Sequence, residues 1–210
     1  MTTAQTRALE GLGSVYGVPE WPEIVDVSAL FSTCRPITLE IGFGDGQHLQ
    51  QLAADHPEQG FIGIEAYRPG IGRLLHGIAD DELNNLRVLI GDAEEIVPRR
   101  FPRCSVQHIL VLFPDPWPKK RHQKRRFINA DTLDEMSRLL TINGSLWFAT
   151  DHKDYLFWVI EEISNHKRFF YDFKHNQELS IRPKGWDETR YQAKAKSKGL
   201  NSVFIEFKRI

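Results

Sequence analysis

Four carboxylates stand at or just past the ends of short apolar runs: Glu40 within Ile37–Ile41, Glu65 after residues 61–64, Asp92 after Leu86–Ile90 and Asp115 after residues 107–113. Between the first two lies Gly42-Phe43-Gly44-Asp45-Gly46, a turn whose glycines let the backbone approach a nucleotide-like ligand. It departs from the dinucleotide pattern G-x-G-x-x-G, since Gln47 takes the place of the third glycine. A pyrophosphate would also meet the like charges of Glu40 and Asp45. An acidic pocket suits a cationic ligand instead. S-adenosylmethionine carries a sulfonium and an α-ammonium group and no phosphate. Glu65 lies about 20 residues past the loop, where an acid grips a ribose diol by two hydrogen bonds. Asp92, in Gly91-Asp92-Ala93, is placed to reach an adenine amino group.

These acids can meet only if the apolar runs are strands of one sheet. Strands are predicted over Ile37–Ile41, 61–64, Leu86–Ile90, 107–113 and 146–150. Residues 107–113 are the most apolar, as befits a strand buried on both faces. Further strands are predicted over 167–173 and 202–207, the latter alternating in pattern and read as an edge hairpin partner. Helices are expected over Gln47–Asp55 and near 69–79, 126–140 and 153–165. This βαβα order implies a Rossmann-like, doubly wound and mostly parallel α/β sheet with an antiparallel C-terminal strand. Ligands bind such sheets outside the carboxyl ends of the strands, at the switch point, which is where the four acids fall.

Composition bounds the function further. The chain has 210 residues, 41% hydrophobic and 26% charged, with no internal repeat, which suits one globular domain. The longest apolar run, 109–113, is far short of the roughly 20 residues that span a membrane. The first 20 residues contain no apolar core of a secretory signal, so a cytoplasmic location is expected. Cys34 and Cys104 form no CxxC pair, and no His pairs with another at zinc-ligand spacing, so neither a metal nor a disulfide framework is expected. His48, His56 and His76 read as solvated or hydrogen-bonded helix residues, Trp147 and Trp158 as core, and Phe169, Phe170 and Tyr171 as a buried strand.

The formal net charge of −1 hides an asymmetry: residues 1–95 hold 15 Asp/Glu against 5 Lys/Arg, and residues 96–210 hold 22 Lys/Arg against 13 Asp/Glu. A basic half is expected where a polyanion binds. Its focus follows the fourth strand, in Phe113-Pro-Asp115-Pro-Trp117-Pro-Lys119-Lys-Arg-His122-Gln-Lys-Arg-Arg126, where six of residues 119–126 are Lys or Arg. Three prolines stiffen the turn that presents Asp115 and Trp117. An acid that reaches a base, followed by cations that hold a phosphate backbone, describes an RNA-modifying site.

Here the chain resembles a known family, the bacterial tRNA (guanine-N7)-methyltransferases. The resemblance rests on Leu39-Glu-Ile-Gly-Phe-Gly-Asp-Gly46, Gly63-Ile-Glu65 and the whole of 113–126. It extends through Ala149-Thr-Asp151 with Tyr155, and Thr189-Arg-Tyr-Gln192 leading to Lys198-Gly199. It implies a class I methyltransferase using S-adenosylmethionine, released as S-adenosylhomocysteine, with Glu40, Gly42, Gly44, Glu65, Asp92 and Asp115 at the cofactor and Asp115 at the catalytic centre. It also implies that Lys119, Asp151, Thr189, Arg190, Tyr191 and Gln192 contact a tRNA partner, with Gln192 standing where the family has Glu. Residues 2–10 resemble the start of the family's shared region without its longer N-terminal arm, and residues 1–30 are expected to pack on or near the tRNA site.

The implied reaction is methylation at N7 of the variable-loop guanine, position 46 of tRNA. Two other readings stand beside it. Asp115-Pro-Trp117 loosely resembles the Asp/Asn-Pro-Pro-aromatic loop of amino-methyltransferases, against which the basic run and residues 189–192 argue. A non-catalytic RNA-binding module is opposed by the intact set of acids. No membrane partner is implied, and no oligomeric state.

Overall fold

The structure, a computed structural model, describes residues 2–18, 24–27, 29–31, 33, 35–171, 182, 183, 185, 186 and 188–210. Helices α1 (Thr3–Gly11) and α2 (Gly13–Tyr16) precede the alternating part of the chain. That part runs β1 (Ile37–Ile41), α3 (Gln47–Asp55), β2 (Gly60–Glu65), α4 (Arg68–Asp80), β3 (Leu86–Ile90), α5 (Ala93–Arg100) and β4 (Val106–Leu112). A 3-10 helix (Lys120–Arg125) leads to α6 (Ala130–Leu139), β5 (Leu140–Thr150), α7 (Lys153–Asn165), β6 (Phe169–Phe170), α8 (Arg190–Ser197) and β7 (Val203–Arg209).

The strand order is β3-β2-β1-β4-β5-β7-β6. The first five strands run parallel, and β7 is antiparallel to both β5 and β6. The order reverses between β1 and β4, and the ligand crevice opens at their carboxyl ends. Every residue of β1 is buried, as a central parallel strand covered on both faces requires. Alternation sends Leu39, Ile41, Ile62, Ile64, Ile109 and Val111 into one core beside α6 and α7. Phe61, Val88, Leu110 and Leu112 enter a second core with α3 and α4.

The sequence-based elements are corrected in four places. Residues 202–207 do not form the edge: β7 lies inside the sheet, and the two-residue β6 covers its outer side. Of 167–173, only Phe169–Phe170 is a described strand, with Phe169 buried and Phe170 exposed; 172 and 173 lie outside the described residues. The helix expected from 126 starts at Ala130, because Asn129 caps it with a reciprocal Thr132 bond and the cations before it form the 3-10 helix. Helices α1, α2, α5 and α8 have no counterpart in the pattern reading. Leu9, Leu12 and Tyr16 pack on the α4 core, and Val18 N donates to Val88 O, so the N-terminal segment covers the outer edge of β3.

Candidate active site

The glycine loop sits on α4. Gly42, Gly44 and Gly46 hold φ of 75°, 63° and 78°, the left-handed region that glycine enters without a Cβ penalty. A Cβ on Gly70, in the first turn of α4, would lie 1.8 Å from the Gly44 carbonyl oxygen, so that helix can approach only as glycine. Glu65 ties the loop down. Its Oε2 accepts from Gly44 N, and its Oε1 accepts from Ala66 N and Tyr67 N, each at 2.8 Å. Asp45 is neutralised by two guanidinium groups: its Oδ2 accepts from Arg73 of α4 at 3.0 Å and from Arg190 of α8 at 2.9 Å. The Asp45 carboxylate holds the Arg190 pKa above its ordinary value.

A cleft of about 400 Å³ opens beside the loop, at the ends of β1 to β4. The structure brings Gly42, Gly44, Glu65, Asp92, Asp115 and Tyr191 together around it, and among the described residues no Lys or Arg lines it. Asp92 also caps α5, accepting from Glu94 N at 2.9 Å. The Tyr191 phenol is pushed up by partial burial first and then by the carboxylates of Glu65, Asp115 and Asp45. Glu40 is not in this cleft. It is 3% exposed, lies 3.4 Å from His48 Nδ1, and faces a small crevice on the other side of the loop with Thr189 and Arg190. Thr189 caps α8 through Gln192 N, and the Gln192 side-chain oxygen accepts from Arg182 at 3.5 Å. Lys119 and Asp151 lie outside the cleft lining, Lys119 in solvent before the 3-10 helix and Asp151 half-buried after β5.

The loop carrying Asp115 is held at several points. Phe113 N donates to Ala149 O at 2.8 Å, and the Pro116 carbonyl accepts from Arg126 Nε at 3.0 Å. Phe113 and Trp117 take φ of 53° and 43°, positions that cost a non-glycine residue energy and persist only where the surroundings dictate them. Trp117 is half-buried, with the Arg125 guanidinium 5.0 Å from its ring centroid and the His122 ring packed edge-on at 5.9 Å. Its ring is therefore a loop anchor. Asp115 itself is exposed.

Sequence reading missed several of the participants. Tyr67, 63% exposed, stands at the mouth of the cleft, and Phe127 forms part of its wall. Only the closeness of Tyr67 to Glu65 hinted at a role. Arg73 reaches Asp45 across 28 residues, a pairing that no local spacing announces. His48 takes the hydrogen-bonded form of its expected reading, buried against Glu40, with its ring edge-on to Trp186 at 5.0 Å. Cys104 is a free, exposed thiol, and Cys34 lies outside the described residues. Among the described residues no group of three or more His, Cys, Asp or Glu could hold a metal ion, and no helix is long and apolar enough to cross a membrane.

A parallel sheet closed by antiparallel strands, with its switch point opening on a cleft lined by Glu65, Asp92 and Asp115 and by no Lys or Arg among the described residues, is the class I methyltransferase arrangement. Solved structures share the fold. A 16S rRNA methyltransferase, KamB, aligns with TM-score 0.61 at 15% identity, over 92% of this chain and 97% of that one. TrmN from Thermus thermophilus aligns with TM-score 0.57 at 16% identity, over 88% and 47%. A family profile described as a putative methyltransferase matches residues 34–204. The tRNA (guanine-N(7)-)-methyltransferase of Halorhodospira halophila is 43% identical over 80% of this chain and 74% of its own length. That of Nitrosococcus oceani is 39% identical over 100% of this chain and 86% of its own. The chain belongs to the tRNA (guanine-N(7)-)-methyltransferase family.

Proposed function

We propose that the protein transfers a methyl group from S-adenosylmethionine to N7 of the variable-loop guanine of tRNA, position 46, in the cytoplasm and without a metal. The observation that carries the reading is the placement of Asp115. It stands at the lip of the acidic cleft on a loop running directly into the exposed cations of 119–125. Reacting base and RNA backbone thus have adjoining places to bind.

The cleft suits the cofactor's charge. Glu65, Asp92 and Asp115 face it with no cation among them, and an added Cβ on Gly42 would stand in open space. Bound S-adenosylmethionine supplies a methyl on a cationic sulfur, which becomes a neutral thioether as positive charge passes to the purine. Glu65 receives a ribose hydroxyl on its one uncommitted acceptor site, Asp92 the adenine amino group, and Glu40 acts from behind Gly42. Guanine N7 carries a lone pair and no proton, so no residue needs to serve as a base at that atom. Asp115 accepts from the guanine N1–H and amino group, holding the ring in line with the methyl, and its charge favours the cation that develops. Alignment of this kind contributes about 7–11 kcal/mol in favourable cases. Thr189, Arg190 and Tyr191, laid against the glycine loop, join with Gln192 the cofactor side to the tRNA side, and Lys119 and Asp151 contact the tRNA beyond the cleft.

The test is nucleoside analysis of tRNA incubated with the protein and methyl-labelled cofactor, with the modified position mapped by ring opening and chain scission at 7-methylguanine. Label in 7-methylguanine at the variable loop is expected. Label on an exocyclic amine would favour the amino-methyltransferase reading, and calorimetry showing no S-adenosylmethionine binding would favour the RNA-binding module.

A further inference from the structure

The basic run ends in a cation that cannot reach RNA. Arg126 is 1% exposed, whereas Lys119, Lys120, Arg121, Lys124 and Arg125 stand in solvent. Its guanidinium lies 5.0 Å from the ring centroid of Tyr155 and 5.2 Å from that of Trp158, both on α7. Nε donates to the Pro116 carbonyl at 3.0 Å and Nη1 to the Asp154 carbonyl at 3.3 Å, while Nη2 is buried without a hydrogen-bond partner. Burial is the largest influence on this group and lowers its pKa, with Tyr155 and Asp154 opposing.

Burying a cation is costly, and two carbonyls with two ring faces offset only part of that cost. Its position shows what the cost maintains. Pro116 directly follows Asp115, inside a loop whose Phe113 and Trp117 hold left-handed backbone angles of 53° and 43°. Tyr155 and Trp158 are themselves fixed, since the Tyr155 hydroxyl accepts from Ile128 N and Trp158 Nε1 donates to Ile128 O. The chain of contact runs from α7 through the guanidinium to the carbonyl beside Asp115. A guanidinium suits this place because its flat face stacks while its fork reaches carbonyls on two segments; an ammonium is a point donor.

We propose that Arg126 is a positioning residue for methyl transfer: it holds the Pro116 carbonyl, and through it Asp115, at the lip of the cleft, and binds no RNA phosphate. The proposal rests on the assignment of Asp115 to the reacting guanine.

The test compares the full-length wild type with Arg126→Gln, Arg126→Lys, Asp115→Asn and the double variant Asp115→Asn/Arg126→Gln. Three quantities are measured: the denaturant midpoint, the slope of log Kd against log salt for tRNA without cofactor, and the single-turnover methyl-transfer rate with both substrates saturating. Arg126→Gln is expected to lower the rate about tenfold or more with an unchanged salt slope, and the double variant to be no slower than Asp115→Asn alone. Where Arg126→Gln does not fold, Arg126→Lys decides by the same two readings. A slope shallower by about 0.7–0.9, one phosphate contact, with a wild-type rate would overturn the proposal. So would a double variant slowed by the product of the two single effects. If Asp115→Asn is slow and both Arg126 variants are fast, positioning fails and the Asp115 assignment stands; if Asp115→Asn is fast, that assignment fails and the proposal falls with it.

Discussion

The Gly44 N–H donates to Glu65 Oε2 over 2.8 Å, joining the glycine loop to the end of β2 across 21 residues. The other oxygen of Glu65 already accepts from Ala66 and Tyr67. A carboxylate has about four acceptor sites, and three of these are committed to backbone. The loop therefore fixes where the remaining lone pair points, so a change of loop shape would also re-aim the acceptor that the proposed reading gives to the ribose.

Glu65→Ala leaves three backbone donors without their charged acceptor. It should destabilise the fold by about 1–3 kcal/mol in urea melts and weaken S-adenosylmethionine binding in calorimetry. Affinity for tRNA, measured without cofactor, should not change. Glu65→Gln keeps one acceptor oxygen but turns an amide donor toward another N–H, so its effects should fall between. Equal loss of both affinities in a folded variant would count against separate cofactor and tRNA contacts.

Lys119 and Lys120 open the exposed part of the basic run. Replacing both by Ala should weaken tRNA binding and flatten its salt dependence, because each phosphate contact releases counterions at about 0.7–0.9 in the log–log slope. Affinity measured across a salt series decides the matter. An unchanged slope would make these lysines a solvated face.

His108 of β4 contributes a pH dependence of stability. Its Nδ1 lies 3.2 Å from Ser145 Oγ, and burial first, then Lys208, lowers its pKa, with Glu206 opposing. Above the unfolded value of about 6.5 both states are neutral. As pH falls through that value, the unfolded chain takes up a proton that the folded one refuses, so stability declines. Urea melts at pH 7.5 and 5.5 should show this decline, and His108→Gln should make it smaller. Equal declines in the two proteins would place the dependence on other groups.

The sheet was legible because buried parallel strands are apolar throughout, and β1 and β3 fall where the pattern placed them. The acids at the strand ends were legible for the same reason: Glu65 and Asp92 mark where apolar runs stop. What stayed hidden depends on distant partners. Arg126 reads as one more cation of a basic run until α7 brings Tyr155 and Trp158 beneath it. Glu40 reads like the other acids, yet it is the one turned behind the loop toward His48. Helix α8 carries two lysines, Lys194 and Lys196, and one buried residue, Ala195, too narrow an apolar face to produce a helical period.

Asp115→Asn separates charge from shape at the centre of the site. The amide keeps the size of the carboxylate and one acceptor oxygen. On the proposed reading it loses the negative charge beside a purine that becomes cationic, and its NH₂ confronts the guanine donors that the carboxylate would accept from. Oppositely signed contacts of this kind, at developing oxyanions, are worth about 2.7–4 kcal/mol, or 100- to 1000-fold in rate. A loss of that order is expected in single-turnover methyl transfer with both substrates saturating, while the affinity for tRNA changes little. Asp115 is exposed at the cleft lip, so the denaturant midpoint should stay near the wild-type value. A variant that transfers methyl at the wild-type rate would move the work to Asp151 or to alignment alone. One that binds S-adenosylmethionine more weakly, and loses rate only below cofactor saturation, would make Asp115 a cofactor ligand.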